Sequence, residues 1–449
     1  MDRAACLHDI ADAGLGREPA AQCGSPLPAE GYSLFFREWI AAGQPSNQLP
    51  ISAVCNSRCL FCSNGLNPFP IARGMFRPIE DIKLQLALMN SGFRHPIRMS
   101  DSTPGRIAEG EAFLHPEFFR ILSLVRRKFP MNRLCFTTNG TMLDEIFVKE
   151  LSRFKPIEIT LSIHSTRPDL WARITGKSPS SARKAMAALD LMRRHGIDFA
   201  GSVVPLPGVC GWEDLETTCE TLVSKGAQAM ILWWPGHSVC SEPGAVRQMD
   251  YPLGEFLQYA GRMHARHGTP VTAYPHVSAD PAVEVGRIVS ATRKGNVKNA
   301  LGPYRQVLWL ASEAAHGKIR ERIDRSAGIE GKAHIVYPVY NGTYRGNIIV
   351  AGLLMVEDFI RVGKEALSKH PEAELILVPR APFDALGRDL TGDPAYRIAE
   401  ELERPVWVVS DRGDIHRLLE RGFERKDETL TTPVNKPMER FSLVRENVP

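Results

Sequence analysis

From Ile51 to about Tyr274 the chain alternates short apolar runs with longer stretches of helical period. The apolar runs predict strands at Leu134–Thr138, Ile157–Ile163, Phe199–Val204 and Ala229–Trp233. The helical periods predict helices at Glu117–Lys128, Leu143–Phe154, Ser181–His195 and Trp212–Lys225. A parallel crossover needs a connection of helix length, so this alternation predicts an α/β fold with a parallel sheet and its helices outside. An earlier apolar stretch, Leu49–Val54, is the candidate first strand.

The rest of the chain follows other patterns. Residues 1–45 read as a polar leader followed by one helix, Tyr32 to Ala42. Residues 46–275 form the core domain just described, and 276–331 a polar connector that includes the basic run KIRERIDR. A second, smaller αβ domain occupies 332–430, with strands at Ala333–Val339, Asn347–Val350, Glu374–Pro379 and Val406–Val409. Its helices are read at about Val356–Ser368 and Ala395–Leu402, and 431–449 read as a loose tail.

Composition narrows the class. The 449 residues are 43% hydrophobic and 24% charged, an ordinary globular balance with material for two domains or three. The net charge of +4 is spread along the chain, whereas a nucleic-acid binder shows a clustered basic face. Only the short fragments Arg126–Lys128 and Arg320–Arg325 lean that way. No apolar run reaches the roughly 18 residues of a membrane span. The N-terminus lacks an apolar core behind a basic start. A cytosolic location is therefore expected.

The nine cysteines are unevenly placed. Cys55, Cys59 and Cys62 fall within CNSRCLFC, while Cys6, Cys23, Cys135, Cys210, Cys219 and Cys240 are scattered. At about 0.02 cysteines per position, three at one fixed spacing arise by chance in roughly four chains per thousand. An odd count without an export signal argues against a disulfide framework. The triplet instead suggests metal or redox chemistry. A structural zinc site closes with four ligands, and neither a second CxxC pair nor a nearby His is present to complete one. A four-iron cubane held by three thiolates keeps one iron open, and an open iron can bind a substrate or cofactor.

The triplet resembles the CxxxCxΦC signature of the radical S-adenosylmethionine superfamily, with Phe61 as the aromatic before the last cysteine. The resemblance implies a partial (β/α)6 TIM-like barrel and a 4Fe-4S cluster ligated by Cys55, Cys59 and Cys62. It also implies that the open iron holds S-adenosylmethionine, which is cleaved reductively to a 5′-deoxyadenosyl radical. Downstream motifs follow in the family's order. Gly110-Glu111 in EGEAFLHPEF resembles the GGE motif, with Glu109 in place of its first glycine. In the family that acid grips the methionine ammonium, which is a charge-assisted pair. TTNGTML, with Asn139, resembles the TNG turn after the third strand, and ITLSIHS resembles the ribose-contacting strand through Ser162 and His164. Phe199–Val204 and Ala229–Trp233 would then be strands five and six. The family also implies oxygen sensitivity and a flavodoxin- or ferredoxin-type electron donor. The V-A-G-L-L run, Ala351–Leu354 with Asp358 following, resembles an uncharacterised domain found after such cores in some bacterial proteins.

Plainer readings stand beside these. The triplet could be an unusual zinc or redox site, Glu111 a solvated loop acid, and Ser162 and His164 satisfied strand residues. Asn-Gly is itself a turn signal, which is enough to explain Asn139. Cys210 and Cys240 follow predicted strands and could reach the substrate space, although a small buried hydrophobe is the commoner role, as it is for Cys219. One of the adjacent Trp233 and Trp234 could floor a planar substrate while the other faces the core. TGKS at Thr175–Ser178 is no phosphate loop, because Trp171 stands where its first glycine belongs. The C-terminal region lacks the cysteines that carry auxiliary clusters in peptide-modifying relatives, so a small molecule or a single modification step is favoured over multi-step peptide maturation, with radical-based RNA or peptide modification as the alternative. A non-enzymatic iron–sulfur carrier or sensor is the rival of another class. It needs neither the large αβ sheet nor the downstream motifs.

Overall fold

A computed structural model describes residues 47–69, 74–92, 94–100, 110–275, 304–325, 333–383 and 387–409. The expected leader helix at 32–42, Glu109 and the tail lie outside these segments. The chain divides into two compact units, Met1–Glu284 and Val285–Pro449.

The first unit is built on a six-stranded parallel sheet. In chain order its elements are α1 (Ile79–Leu88), β1 (Ile97–Arg98), α2 (Phe118–Lys128), β2 (Leu134–Thr138), α3 (Glu145–Leu151) and β3 (Ile157–Ser162). There follow α4 (Pro168–Thr175), α5 (Pro179–Arg194), β4 (Asp198–Val203), α6 (Pro207–Ser224) and β5 (Met230–Trp233). The unit closes with α7 (Pro243–Met249), α8 (Leu253–His267) and β6 (Val271–Tyr274). Strand order equals chain order, β1 to β6, and every pairing is parallel. This is the expected α/β open-barrel sheet, in which all strands present their carboxyl ends at one rim.

The alternation along β2 and β3 decides which side packs. Leu134, Phe136, Ile157, Ile159 and Leu161 are buried in the core shared with the helices, while Cys135, Thr137, Glu158, Thr160 and Ser162 keep partial exposure on the opposite face. Burying each large apolar side chain stabilises the fold by about 1.5–3 kcal/mol. Helix ends are fixed locally. Asp144 caps α3 through the Phe147 N–H at 2.8 Å, and Ser178 caps α5 through the Ser181 N–H at 3.3 Å. Helix α4 ends on Gly176 in the left-handed conformation, φ 67°.

Several strand readings change. Leu49–Val54 forms no regular strand, because its flank and interior make single bridges in two directions, Gln48 to Arg98 and Ser52 to Phe76. The Ile157–Ile163 strand ends at Ser162. Phe199–Val204 and Ala229–Trp233, expected as strands five and six, correspond to β4 and β5, and two strands not foreseen, Ile97–Arg98 and Val271–Tyr274, complete the sheet. No helix among the described residues is long and apolar enough to cross a membrane.

The second unit holds a four-stranded parallel sheet of β7 (Gln306–Ser312), β8 (Ala333–Val339), β9 (Leu375–Pro379) and β10 (Val406–Val409), in the order β10-β9-β7-β8. Helices α9 (Glu313–Arg325), α10 (Val356–Lys369) and α11 (Tyr396–Leu402) connect the strands. Two expectations are corrected here. The apolar run QVLWLAS, read as connector, is an interior strand, and Asn347–Val350 is no strand but irregular backbone after a turn at Asn347, leading into a 3-10 turn at Ala351–Leu353. Asp358 of the VAGLL motif is buried, accepting from the Met355 N–H at 3.1 Å and the Gly342 N–H at 2.8 Å. That acid caps α10 and pins the loop after β8.

Candidate functional site

The cysteine triplet occupies a loop held from two sides. On one side, the residues leading into it receive the Gly110-Glu111 segment: Gly110 N–H donates to Ser52 O at 3.1 Å and Glu111 N–H to Val54 O at 2.7 Å. A Cβ at position 110 would stand 2.6 Å from both the Ser52 and Val54 carbonyl oxygens, so only glycine permits this approach. On the other side, Arg58 N–H donates to Thr175 O at 2.8 Å and Leu60 N–H to Ile174 O at 2.9 Å, which docks the loop on the end of α4. Within the loop, Cys62 N–H closes back on Cys59 O at 3.1 Å, and a 3-10 turn, Ser63–Gly65, follows.

Glu111 lies under this loop and is 2% exposed. Its carboxylate accepts from Thr138 Oγ1 at 2.9 Å, Asn139 N–H at 2.9 Å and Phe113 N–H at 3.4 Å. Phe113 is itself fixed among Phe118, Phe136 and Phe147, with ring centroids 5.1, 5.3 and 5.2 Å away. The acid therefore sits on the aromatic core. Burial raises its pKa from 4.5 to about 7, against the opposing pull of those three donors and of Lys177. The reading of Glu111 as a solvated loop acid is inconsistent with this burial.

Asn139 links the GE and TNG segments to the loop. Its Nδ2 donates to Asn56 Oδ1 at 2.9 Å and to Ser57 Oγ at 3.2 Å, and its Oδ1 accepts from Thr141 N–H at 3.0 Å. Asn56 Nδ2 in turn donates to Thr141 Oγ1 at 3.2 Å. Asn139 is a turn residue, as expected from Asn-Gly with Gly140 at φ 78°, and it also braces the segment between two of the cysteines. Asn56, Ser57, Thr138, Thr141 and Lys177 join the site without having been singled out for it. Asn56 and Ser57 at least stand inside the CxxxC spacing, while the others carry no local signal.

Ser162 ends β3 in register with Ser202, on the half-exposed face of the sheet. His164 lies beyond the strand and is buried, accepting from the Val204 N–H at 3.1 Å through Nδ1. Its ring meets Phe61 edge to face with centroids 4.6 Å apart, so Phe61 anchors the cysteine loop to the carboxyl end of β3. Burial holds its pKa down at about 3 and the ring neutral.

The thiols of the loop interact with one another and with Glu111. Cys55 is solvent-reachable but recessed among protein atoms. Its pKa is pushed up to about 12, first by desolvation, then by Glu111 and Cys62. Cys59 is raised well above its ordinary value by burial and by Cys62 and Cys55. Cys55 and Cys59, both desolvated and both acted on by Cys62, are thiols that bound metal would stabilise as thiolates. Among the described residues no three His, Cys, Asp or Glu side chains are placed to share one metal ion. In a cubane each thiolate instead holds a separate iron, so the residues fit a 4Fe-4S cluster better than a closed zinc site.

The remaining candidates separate cleanly. Cys219 is buried beside Tyr259, Sγ to Oη 3.0 Å, on the helix side of the sheet, away from the loop. Cys240 is disulfide-bonded and offers no thiol. Cys210 packs with Leu60 and Phe61 in an apolar cluster. Trp233 is 41% exposed and stacks on Tyr274 at 4.1 Å, whereas Trp234 turns inward and donates to Tyr251 O at 3.2 Å.

A family model described as the radical SAM superfamily matches residues 49–222. The FeMo cofactor biosynthesis protein NifB of Chlorobaculum tepidum is 26% identical over 198 residues, covering 40% of this chain and 46% of that protein. A "Probable GTP 3′,8-cyclase" of Thermococcus kodakarensis is 31% identical over 137 residues, covering 30% of this chain and 40% of that protein. The chain thus spans less than half the length of these relatives. Streptococcus suis SuiB bound to S-adenosylmethionine aligns with a TM-score of 0.38 at 13% identity, over 57% of this chain and 60% of that one.

Proposed function

We propose, from the radical SAM superfamily model that matches residues 49–222 and from the site described above, that the chain is a radical S-adenosylmethionine enzyme that modifies a small molecule by radical chemistry. When bound, the 4Fe-4S cluster supplies one electron to S-adenosylmethionine, whose sulfonium C–S bond breaks to give methionine and a 5′-deoxyadenosyl radical that takes hydrogen from the substrate. Cys55, Cys59 and Cys62 hold the cluster. Glu111 accepts the methionine ammonium, and a carboxylate held by three donors in a buried recess gains most from a cationic partner. Asn139 fixes the loop, Phe61 and His164 set its distance from the sheet, and Ser162 offers a hydroxyl on the open face of β3. The electron comes from a flavodoxin- or ferredoxin-type donor in the cytosol.

The observation that carries this reading is the docking of Gly110-Glu111 on the two residues that lead into the cysteine loop. A carrier or sensor has no need of a buried acid beside its cluster loop. The exposed Trp233–Tyr274 stack at the strand rim supports a small, planar substrate. Two relatives act on different molecules by name, a nucleotide in one case and a metal cofactor in the other, so the substrate is assigned here only by size and shape.

The test is anaerobic purification, cluster reconstitution, and assay for 5′-deoxyadenosine with dithionite and S-adenosylmethionine. The wild-type protein should form it, and Cys59→Ala should not. A fully loaded wild-type protein that yields none defeats the proposal.

A further inference from the structure

Lys177 follows the glycine that ends α4 and stands 121 positions from the residue it reaches, donating from Nζ to Asn56 O at 2.6 Å. That carbonyl lies between Cys55 and Cys59. The contact is built on both sides. Gly176, at φ 67°, lets the chain turn against Arg58, where an added Cβ would stand 3.0 Å from the Arg58 carbonyl oxygen. Thr175 O and Ile174 O take the Arg58 and Leu60 N–H groups at 2.8 and 2.9 Å. The lysine ammonium is thus delivered to the backbone of the loop by four consecutive residues, 174–177. It is half-buried, and its charge acts on Cys55, Cys59 and Glu111 alike, favouring the ionised form of each.

We propose that Lys177 is a positioning residue that clamps the cysteine loop through the Asn56 carbonyl and holds a fixed positive charge beside the cluster, so that the reduced cluster is stabilised. The inference rests on the radical reading above. The physical reason is the change in charge. A cubane bound by three thiolates becomes one unit more negative when it takes up its electron. A cation held in a partly desolvated position stabilises the more negative state more strongly. A guanidinium at this place can supply the same charge and a donor, whereas a methionine supplies neither. The P-loop-like TGKS string is explained by this role, with the lysine directed at a carbonyl of its own chain and a metal cluster in place of a phosphate.

The experiment compares the wild-type full-length chain with Lys177→Met and Lys177→Arg, each reconstituted without oxygen. Iron and sulfide content, circular dichroism and the midpoint potential, followed by EPR of the reduced cluster, are measured for each. Lys177→Met should fold and load iron, yet at a fixed applied potential its reduced-to-oxidised ratio should fall by about tenfold, or about 59 mV for one electron. Lys177→Arg should restore the wild-type potential. Equal potentials in fully loaded wild type and Lys177→Met overturn the proposal, and so does an arginine variant that matches the methionine variant. If Lys177→Met fails to load, Lys177→Gln replaces it as the neutral variant with a donor, and a wild-type potential in that protein is equally fatal. A wild type that assembles no cluster sinks the radical reading itself.

Discussion

The His164 imidazole accepts the Val204 N–H at 3.1 Å and lays its ring against Phe61 at 4.6 Å, so one buried side chain joins the ends of β3 and β4 to the cysteine loop. Its pKa is depressed to about 3 by burial. A histidine that stays neutral when folded stabilises the fold above its unfolded pKa of 6.5, and that stability is lost as pH falls toward the folded value. Between pH 7 and pH 5 the loss is about 2 kcal/mol. His164→Gln keeps an acceptor and removes the titration. Denaturant melts of the apo variant should lack this term.

Glu111 acts in the opposite direction. Its pKa is raised from 4.5 to about 7, so the folded state prefers the protonated acid and stability falls as pH rises across that window. From pH 5 to pH 7 the fall is about 2 kcal/mol, close to the rise contributed by His164. The two nearly cancel in the wild-type chain, and single variants separate them. Relative to wild type, Glu111→Gln should gain stability from pH 5 to pH 7, and His164→Gln should lose it over the same interval. Identical slopes in both variants contradict the assignment of either group.

Gly110→Ala tests the docking of the GE segment on the cysteine loop. The new methyl would meet two backbone carbonyl oxygens at 2.6 Å, and neither can rotate away as a side chain would. The strand-like contacts from Ser52 and Val54 must open by several tenths of an ångström. Overpacking of this kind costs about 1–3 kcal/mol. The variant should show a lower melting temperature and reduced iron content after reconstitution. Gly244→Ala, at a position with open space around it, is the matched control and should behave as wild type.

The sequence made the chemistry more legible than its support. The bounds of β2 were readable because LCFTT is a short apolar and β-branched run ending at the Asn-Gly turn, and the triplet with Gly110-Glu111 was readable because both are short and contiguous. Leu49–Val54 was misread as a strand because its apolar run records burial, while its hydrogen bonds are shared among Arg98, the residues Met75 and Arg77, and the GE segment. Gln306–Ser312 was missed because a strand buried on both faces has no alternation, and its flanks are polar. The brace of Asn56, Asn139, Thr141 and Lys177 was invisible because its bonds join residues 83 to 121 positions apart. No local pattern encodes such pairs.

Arg126 tests the rival reading of an RNA substrate, for which the Arg126–Lys128 fragment was the main signal in the first unit. The structure uses two of its three cations internally. Arg126 donates to the carbonyls of Phe129 and Asn132 at 3.1 and 2.6 Å, and to those of Phe154 and Pro156 at 2.6 and 2.8 Å. Lys128 donates to the Ala87 carbonyl at 2.9 Å and also to that of Leu86. Only Arg127 faces solvent without a role of this kind. A guanidinium that closes four carbonyls at the ends of α2 and of the 3-10 turn after α3 contributes through charge-assisted bonds, and its loss leaves those acceptors short of a donor. Arg126→Ala should therefore cost about 2–4 kcal/mol in denaturant melts, while Arg127→Ala should change stability by less than about 0.5 kcal/mol. Neither substitution should alter retention of a mixed RNA probe at low salt. An Arg126→Ala protein that melts as wild type but loses RNA retention would show that this side chain serves a nucleic acid and would revive the rival.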